Sequence, residues 1–497
     1  MTGGSEEPTE APTETPTETP TEEPTDAPIV DDQFRPVTFS VVAPKGNSTK
    51  ATWNDAVFFY GNTSTFADLT KVAMTKTDEK YYTGDTFNSE AIKGGAWDIF
   101  TVTLTAAQAE EAYNSRIVGF ASSNGSNRTQ LLNTYSVLRA GTDSYTEYAS
   151  ANAHPNNFDG KTFLFAEAGY DSKSLSSYRG YWLTDYVTVK AAAPMANTDY
   201  SNWNGVQLYY GDGKVVDDMP RLDMIKTSET TKVTIDNPTL RSGRWYIYAL
   251  TVPSTLADTI SASGSVGIIK KDASNRTYRP MNILKAKTNV FDGEYNTTAR
   301  TLAELEGQVF VVSGQATTSA VQAYTGMWET EELYTQGRDD EITIYFAAPI
   351  GVAGTSCGWN TGVELYYGNE SNYADNARIE LTATGDTYYV DVTKTNVTDL
   401  FVSGNWAVYS ATLTVQQIRA IDDSAYVGFV KSGSFDRTYH TNGKSIVRAS
   451  KMDGVTSYGA AQSIEMFDGH IFMINSTNTA TKSAERTSFL GSWSIYE

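Results

Sequence analysis

Along most of this chain, apolar and other residues alternate at period two. "VTVKAAAP" from Val187 and "ITIYFAAP" from Ile342 predict strands, and Pro ends each because it has no N–H for a ladder. In "VQLYYG", Val206, Leu208 and Tyr210 share one strand face, and Gln207 and Tyr209 share the other. The copy further on agrees: Val363, Leu365 and Tyr367 stand against Glu364 and Tyr366. Polar members mark the second set as the outer face. Tyr209 and Tyr366, with Phe59 at the same place in "WNDAVFFYG", are therefore expected to point outward. "WYIYALTV" and "WAVYSATLTV" predict another strand. A short helix follows: "TAAQAEEAY" from Thr105 and "TVQQIRAI" from Thr414 begin with Thr and place Gln three residues on, the capping-box spacing. "RIVGFA", "SVGIIK" and "YVGFVK" return the chain to strand.

These patterns recur. Trp53, Trp203 and Trp359 stand 150 and 156 residues apart, each beside Asn and ahead of an aromatic strand ending in Gly. Trp97, Trp245 and Trp406 come next, then the pairs Arg128-Thr129, Arg276-Thr277 and Arg437-Thr438, then Trp182, Trp328 and Trp493. This order uses all 9 tryptophans of the chain. Gly160, Gly307 and Gly469 precede matching strands, which sets aside the "FDG" at Phe291 as a coincidence. The reading is three paralogous units near the usual domain size. The predicted class is all-β: three tandem antiparallel β-sandwich modules, each with a short helix, over 34–186, 187–334 and 341–497.

Residues 1–33 differ in kind. "SEEPTEAPTETPTETPTEEPTDAPIVDD" holds almost nothing apolar and cannot offset chain entropy by burial. A disordered, extended spacer is expected. Met1 followed directly by a linker suggests a piece of a longer protein. The acids of this stretch supply about half of the net charge of −21, which argues against nucleic acid and against docking on anionic lipid. Uncharged polysaccharides are unaffected by it. No apolar run is long enough to span a membrane, and the single cysteine, Cys357, permits no intrachain disulfide.

Catalytic equipment is sparse. The 3 histidines, His154, His440 and His470, occupy non-equivalent places, and module 2 has none. A Ser-His-Asp triad in each copy is impossible. No zinc helix, P-loop or dinucleotide fingerprint occurs. The recurrent acid, Asp159, Glu306 and Asp468, reads as a turn residue beside Gly. The expectation is a protein that is not an enzyme and needs no cofactor, although calcium bracing an Asp-rich loop stays open.

What recurs is aromatic. Rings stack on the C–H faces of sugars, polar side chains bond the hydroxyls, and three weak sites would add avidity on a polymer. Trp53, Trp203 and Trp359 are expected on an exposed rim, with Phe59, Tyr209 and Tyr366 beside them. For Trp97, Trp245 and Trp406, core packing and ligand contact both stay open. Trp182, Trp328 and Trp493 each close a final strand and are expected in the core. Arg128, Arg276 and Arg437 either donate to sugar hydroxyls or pair with Asp159, Glu306 and Asp468; the recurrence of both partners favours the pair.

"FAAPIGVAGTSCGWNTGVELYYG", "GNWAVYSATL" and "YVGFVKSGSFDRTY" together resemble the small starch-binding carbohydrate-binding modules. The Thr-Glu-Pro linker resembles spacers in amylosome and cellulosome surface proteins of gut Firmicutes. The resemblance covers roughly the first hundred residues of each module. It implies a non-catalytic, secreted or cell-surface β-sandwich protein, part of a larger surface complex, that holds starch or maltooligosaccharides. The alternative is an adhesin or structural spacer that binds host glycoprotein.

Overall fold

The computed structural model describes residues 33–496 except 46–52, 85–92, 170–176, 196–201, 236–238, 317–322, 333–339, 452–455, 478–487 and positions 143, 145, 214, 355, 356, 360 and 396. The expected linker lies outside the described residues, Gln33 apart.

The strands fall into three groups in chain order. In module 2, Tyr186–Ala193 pairs antiparallel with Gly243–Pro253 and parallel with Val309–Ala316, so hydrogen bonds run around a closed ring of eight strands. Module 3 repeats the ring, with Ile342–Ala348 between Gly404–Leu413 and His470–Thr477. Module 1 keeps the strand order but opens at one point. The strand that runs unbroken as Arg221–Val233 and Ala377–Val390 is divided here into Thr70–Ala73 and Thr75–Thr83 around the buried Met74. Three tandem all-β modules, each with a short helix, are thus present. Most pairing is antiparallel, but each module also has two parallel pairings; one runs from the Arg-Thr pair to the last strand.

Local chemistry accounts for the elements. Val37–Ala43 and Ile342–Ala348 bury alternate residues at their starts, as period-two side chains must on one covered face. The long strand of each module shifts register at one place: Lys76/Lys80, Lys226/Thr230 and Ala383/Thr387. Such an irregularity bends a strand. Helices Ala106–Tyr113 and Val415–Asp422 begin at Thr105 and Thr414 with both halves of the capping box formed. Module 2 has Ser254–Ser261 in that place, entered through Pro253 without a side-chain cap.

Gly160, Gly307 and Gly469 hold φ of 73°, 77° and 67°, the left-handed turn that a glycine adopts freely. The acid before each faces the first strand of its module. Asp159 Oδ1, Glu306 Oε1 and Asp468 Oδ1 accept from the backbone N–H of Thr38, Thr188 and Thr343 at 2.9, 3.0 and 2.8 Å. The expected ion pair between these acids and Arg128, Arg276 and Arg437 is therefore replaced by a strand-pinning bond. Phe291 is an exposed loop residue, in keeping with its exclusion from the repeat.

Candidate functional site

All nine tryptophans are buried, and this corrects the expected exposure of Trp53, Trp203 and Trp359. The backbone N–H of Trp203 and Trp359 donates to the carbonyl of Pro194 and Pro349 at 3.1 and 2.9 Å. That closure folds the indole inward. Trp53 lies 5.2 Å from Phe165, Trp203 6.1 Å from Tyr324, and Trp359 5.0 Å from Phe346, ring centre to ring centre. Trp97, Trp245 and Trp406 are core residues as well. Their indole N–H groups donate to carbonyls four residues back, at Lys93, Arg241 and Val402, each at 3.0 Å. Trp182, Trp328 and Trp493 donate to Val137, Ile283 and Ile446, and all six pairings meet the demand that a buried N–H find an acceptor.

Phe59, Tyr209 and Tyr366 do project from the face opposite the main core, yet they too are buried. A single 3-10 turn folds over each: Phe66–Asp68, Val216–Asp218 and Tyr373–Asp375. Phe66 meets Phe59 at 5.3 Å, and Tyr373 meets Tyr366 at 6.2 Å. Directly across the ladder from the three rings stand Gly119, Gly267 and Gly428. A Cβ at any of them would overlap the hydroxyl of Thr129, Thr277 or Thr438. Those hydroxyls accept from the N–H of Phe120, Ile268 and Phe429 at 3.1, 3.1 and 2.9 Å. Tyr209 and Tyr366 donate to the carbonyls of Thr277 and Thr438 at 3.1 and 3.2 Å. The recurrent Arg-Thr pair is thus a packing device, and its Thr supplies the hydrogen bonds.

The arginines of the pair serve the same local structure. Arg276 and Arg437 donate to Ser274 O and Phe435 O at 3.2 and 3.1 Å, and Arg128 donates to Gly125 O. Arg437 also lies over Tyr373 at 4.2 Å, and Arg128 over Phe66 at 5.9 Å. Beside Arg437, Phe435 is 57% exposed. Modules 1 and 2 carry Ser126 and Ser274 at its position.

The chemistry that the repeat pattern concealed lies between modules 2 and 3. Arg244 Nε meets Glu465 Oε1 at 2.7 Å, with the side chains 1% and 5% exposed. Arg241 donates to the carbonyl of Asp422 and, at 3.5 Å, to that of Gln462. Asp422 accepts from Ser463 Oγ at 2.6 Å and Ile464 N at 2.8 Å, and burial lifts its carboxyl to about 6 against the pull of Arg241. Tyr246 donates to Asp423, and Arg419 lies over the Tyr246 ring at 4.2 Å while donating to Ser228 O at 3.0 Å. A cleft of about 380 Å³ opens along this contact, lined by Asn204, Asn369, Asn442 and Arg448 among others. The signal was present as divergence: Arg244 corresponds to Ala96 and Asn405 in the sibling modules, and Glu465 to Asn156 and Ala303.

Modules 1 and 2 meet through different groups. Tyr82 N donates to Thr251 Oγ1 at 3.0 Å, and a cavity of about 390 Å³ is lined there by Phe165, Leu222, Leu250 and Leu256. Among the described residues no cluster of three or more His, Cys, Asp or Glu could hold a metal ion, and no helix is long and apolar enough to cross a membrane.

No family model matches the chain, and no curated protein matches it. Among solved structures, the full-length major pilin SpaD from Corynebacterium diphtheriae aligns over 86% of this chain and 92% of its own at 9% identity, with a TM-score of 0.11. A likeness of that size carries no argument about fold or function.

Proposed function

We propose that the chain is a non-catalytic spacer and adhesion segment of a secreted or cell-surface protein, stiffened by contacts between its modules. One observation carries this reading: the ion pair of Arg244 and Glu465 sealed between modules 2 and 3. Two charges taken out of water recover their desolvation only where both partners stay in place, so such a pair suits a fixed joint and not a hinge. The Thr-, Glu- and Pro-rich composition of residues 1–33 suits the same role. Small-angle scattering on the full chain tests the reading. One envelope with constant spacing between the module centres is expected from low salt to about 0.5 M, where exposed pairs are screened and buried ones are not. A broad distribution of spacings would overturn it.

A second reading, the binding of starch or maltooligosaccharides, keeps one specific support. Phe435 is open to solvent, with Arg437 and Tyr373 at its base, and a sugar ring could stack on it. Ser126 and Ser274 replace it in the siblings, so this reading no longer includes three equivalent sites. Native affinity gels containing amylopectin, xylan or mucin separate the two. Retention by amylopectin that disappears with Phe435→Ala favours starch; retention by mucin alone favours adhesion.

A further inference from the structure

We infer that the cleft between modules 2 and 3 is a binding site for a neutral, hydroxyl-rich ligand of the size of a sugar unit. The inference rests on the proposed fixed joint, because neither module alone forms the cleft. Its volume of about 380 Å³ lies in the range of small-molecule sites, roughly 300–1,000 Å³. Its walls come from both sides: Asn204 from module 2, and Asn369, Asn442 and Arg448 from module 3. Among the described residues, the side-chain amides of Asn204 and Asn442 make no hydrogen bond within the chain. An amide offers both donors and an acceptor, and a hydroxyl is both as well, so amides pair with sugar hydroxyls in either sense.

Charge decides the ligand's class. Arg241 and Arg448 stand against Asp422 and Asp423 in the lining, so neither an anion nor a cation is favoured overall. Side-chain character narrows it again. The lining contains no aromatic ring, and its largest apolar side chain is Val447. A peptide's apolar side chain would find no pocket, whereas a polyol loses nothing. Recognition here is by hydrogen bonding, unlike the stacking expected from the sequence. The cavity between modules 1 and 2 offers the opposite character, with four leucines and a phenylalanine.

The test is saturation-transfer NMR on the full chain with the methyl glycosides of glucose, galactose and mannose, and with glucuronate and glucosamine as charged analogues. At least one neutral glycoside should give saturable transfer. The pair Asn204→Leu with Asn442→Leu should weaken it tenfold or more. Scattering of the double variant should match the parent, which separates loss of the ligand from loss of the joint. No transfer from any neutral glycoside, or transfer untouched by the double variant, overturns the site. Stronger transfer from glucuronate or glucosamine overturns the class.

Discussion

Replacing Arg244 with Ala should break the joint between modules 2 and 3. The guanidinium is 1% exposed and contacts Glu465, itself 5% exposed, at 2.7 Å. Its removal leaves a buried carboxylate whose other cation, Lys232, is 3.9 Å away with a side chain 48% exposed. Lys232 cannot restore the lost bond without drawing its ammonium out of water. Breaking a buried pair from one side costs about 3–5 kcal/mol. In a domain of this size each kcal/mol moves the melting temperature by roughly 2–4 °C. Calorimetry on the full chain should therefore show the transition of modules 2 and 3 falling by roughly 6–20 °C, with module 1 unchanged. Scattering should also broaden, since Arg244 also donates to Asp340 O at the same contact. Adding Glu465→Met to Arg244→Met should recover most of the loss, because an apolar pair removes both charges together. A single variant that melts within about 1 kcal/mol of the parent and scatters identically would refute the claim that this pair fixes the joint.

Three further outcomes follow from the same geometry. Burial lifts the Asp422 carboxyl from 3.8 to about 6, so its stabilising contribution is complete below 3.8 and lost as pH rises through about 6; Asp422→Asn, which still accepts from Ile464 N and can donate to Ser463 Oγ, should flatten that step in a melting-temperature profile and melt higher above it, by on the order of 3 kcal/mol. Gly428→Ala should destabilise module 3 by about 1–3 kcal/mol or more in denaturant titrations, because the new methyl overlaps Thr438 and Tyr366, whereas Gly469→Ala, with nothing within 4 Å of its Cβ, should cost about 1 kcal/mol for its left-handed backbone alone. Thr105→Ala removes the cap that accepts from Gln108 N at 3.2 Å and should cost about 1 kcal/mol, read as a lower melting transition for module 1.

The repeat was legible because core residues must recur where the architecture recurs. Trp, Gly and Thr at fixed spacing proved to be buried indoles, left-handed turns and ladder plugs. The face of Phe59, Tyr209 and Tyr366 was legible too, since period two assigns sides without reference to the rest of the chain. Their burial was not. Period two says which way a side chain points and nothing about what folds over it. The covering turns are written in dissimilar residues, Phe66, Val216 and Tyr373, which share only their place and their apolar character. The contact between modules was illegible for the opposite reason. Arg241, Arg244, Asp422 and Glu465 do not recur, and a reading built on recurrence passes over them.

The sibling modules differ where module 2 meets its neighbours. Strands Arg221–Val233 and Gly243–Pro253 of module 2 pair with one another and meet a neighbour at each end. At one end Leu222, Asp223 and Thr251 face module 1. At the other, Lys232 and Arg244 reach Glu465 of module 3. One hairpin thus touches both flanking modules. The order of modules is not interchangeable on this account. Module 1 in the place of module 3 would present Asn156 to Arg244 where Glu465 now stands, and Tyr113 where Asp422 stands. Arg244 would then lose the carboxylate of Glu465 against which it is buried, which costs more than a typical surface substitution. The three copies of one fold share the tryptophans, glycines and threonines that build each core and differ at Arg244, Asp422 and Glu465, where modules 2 and 3 meet.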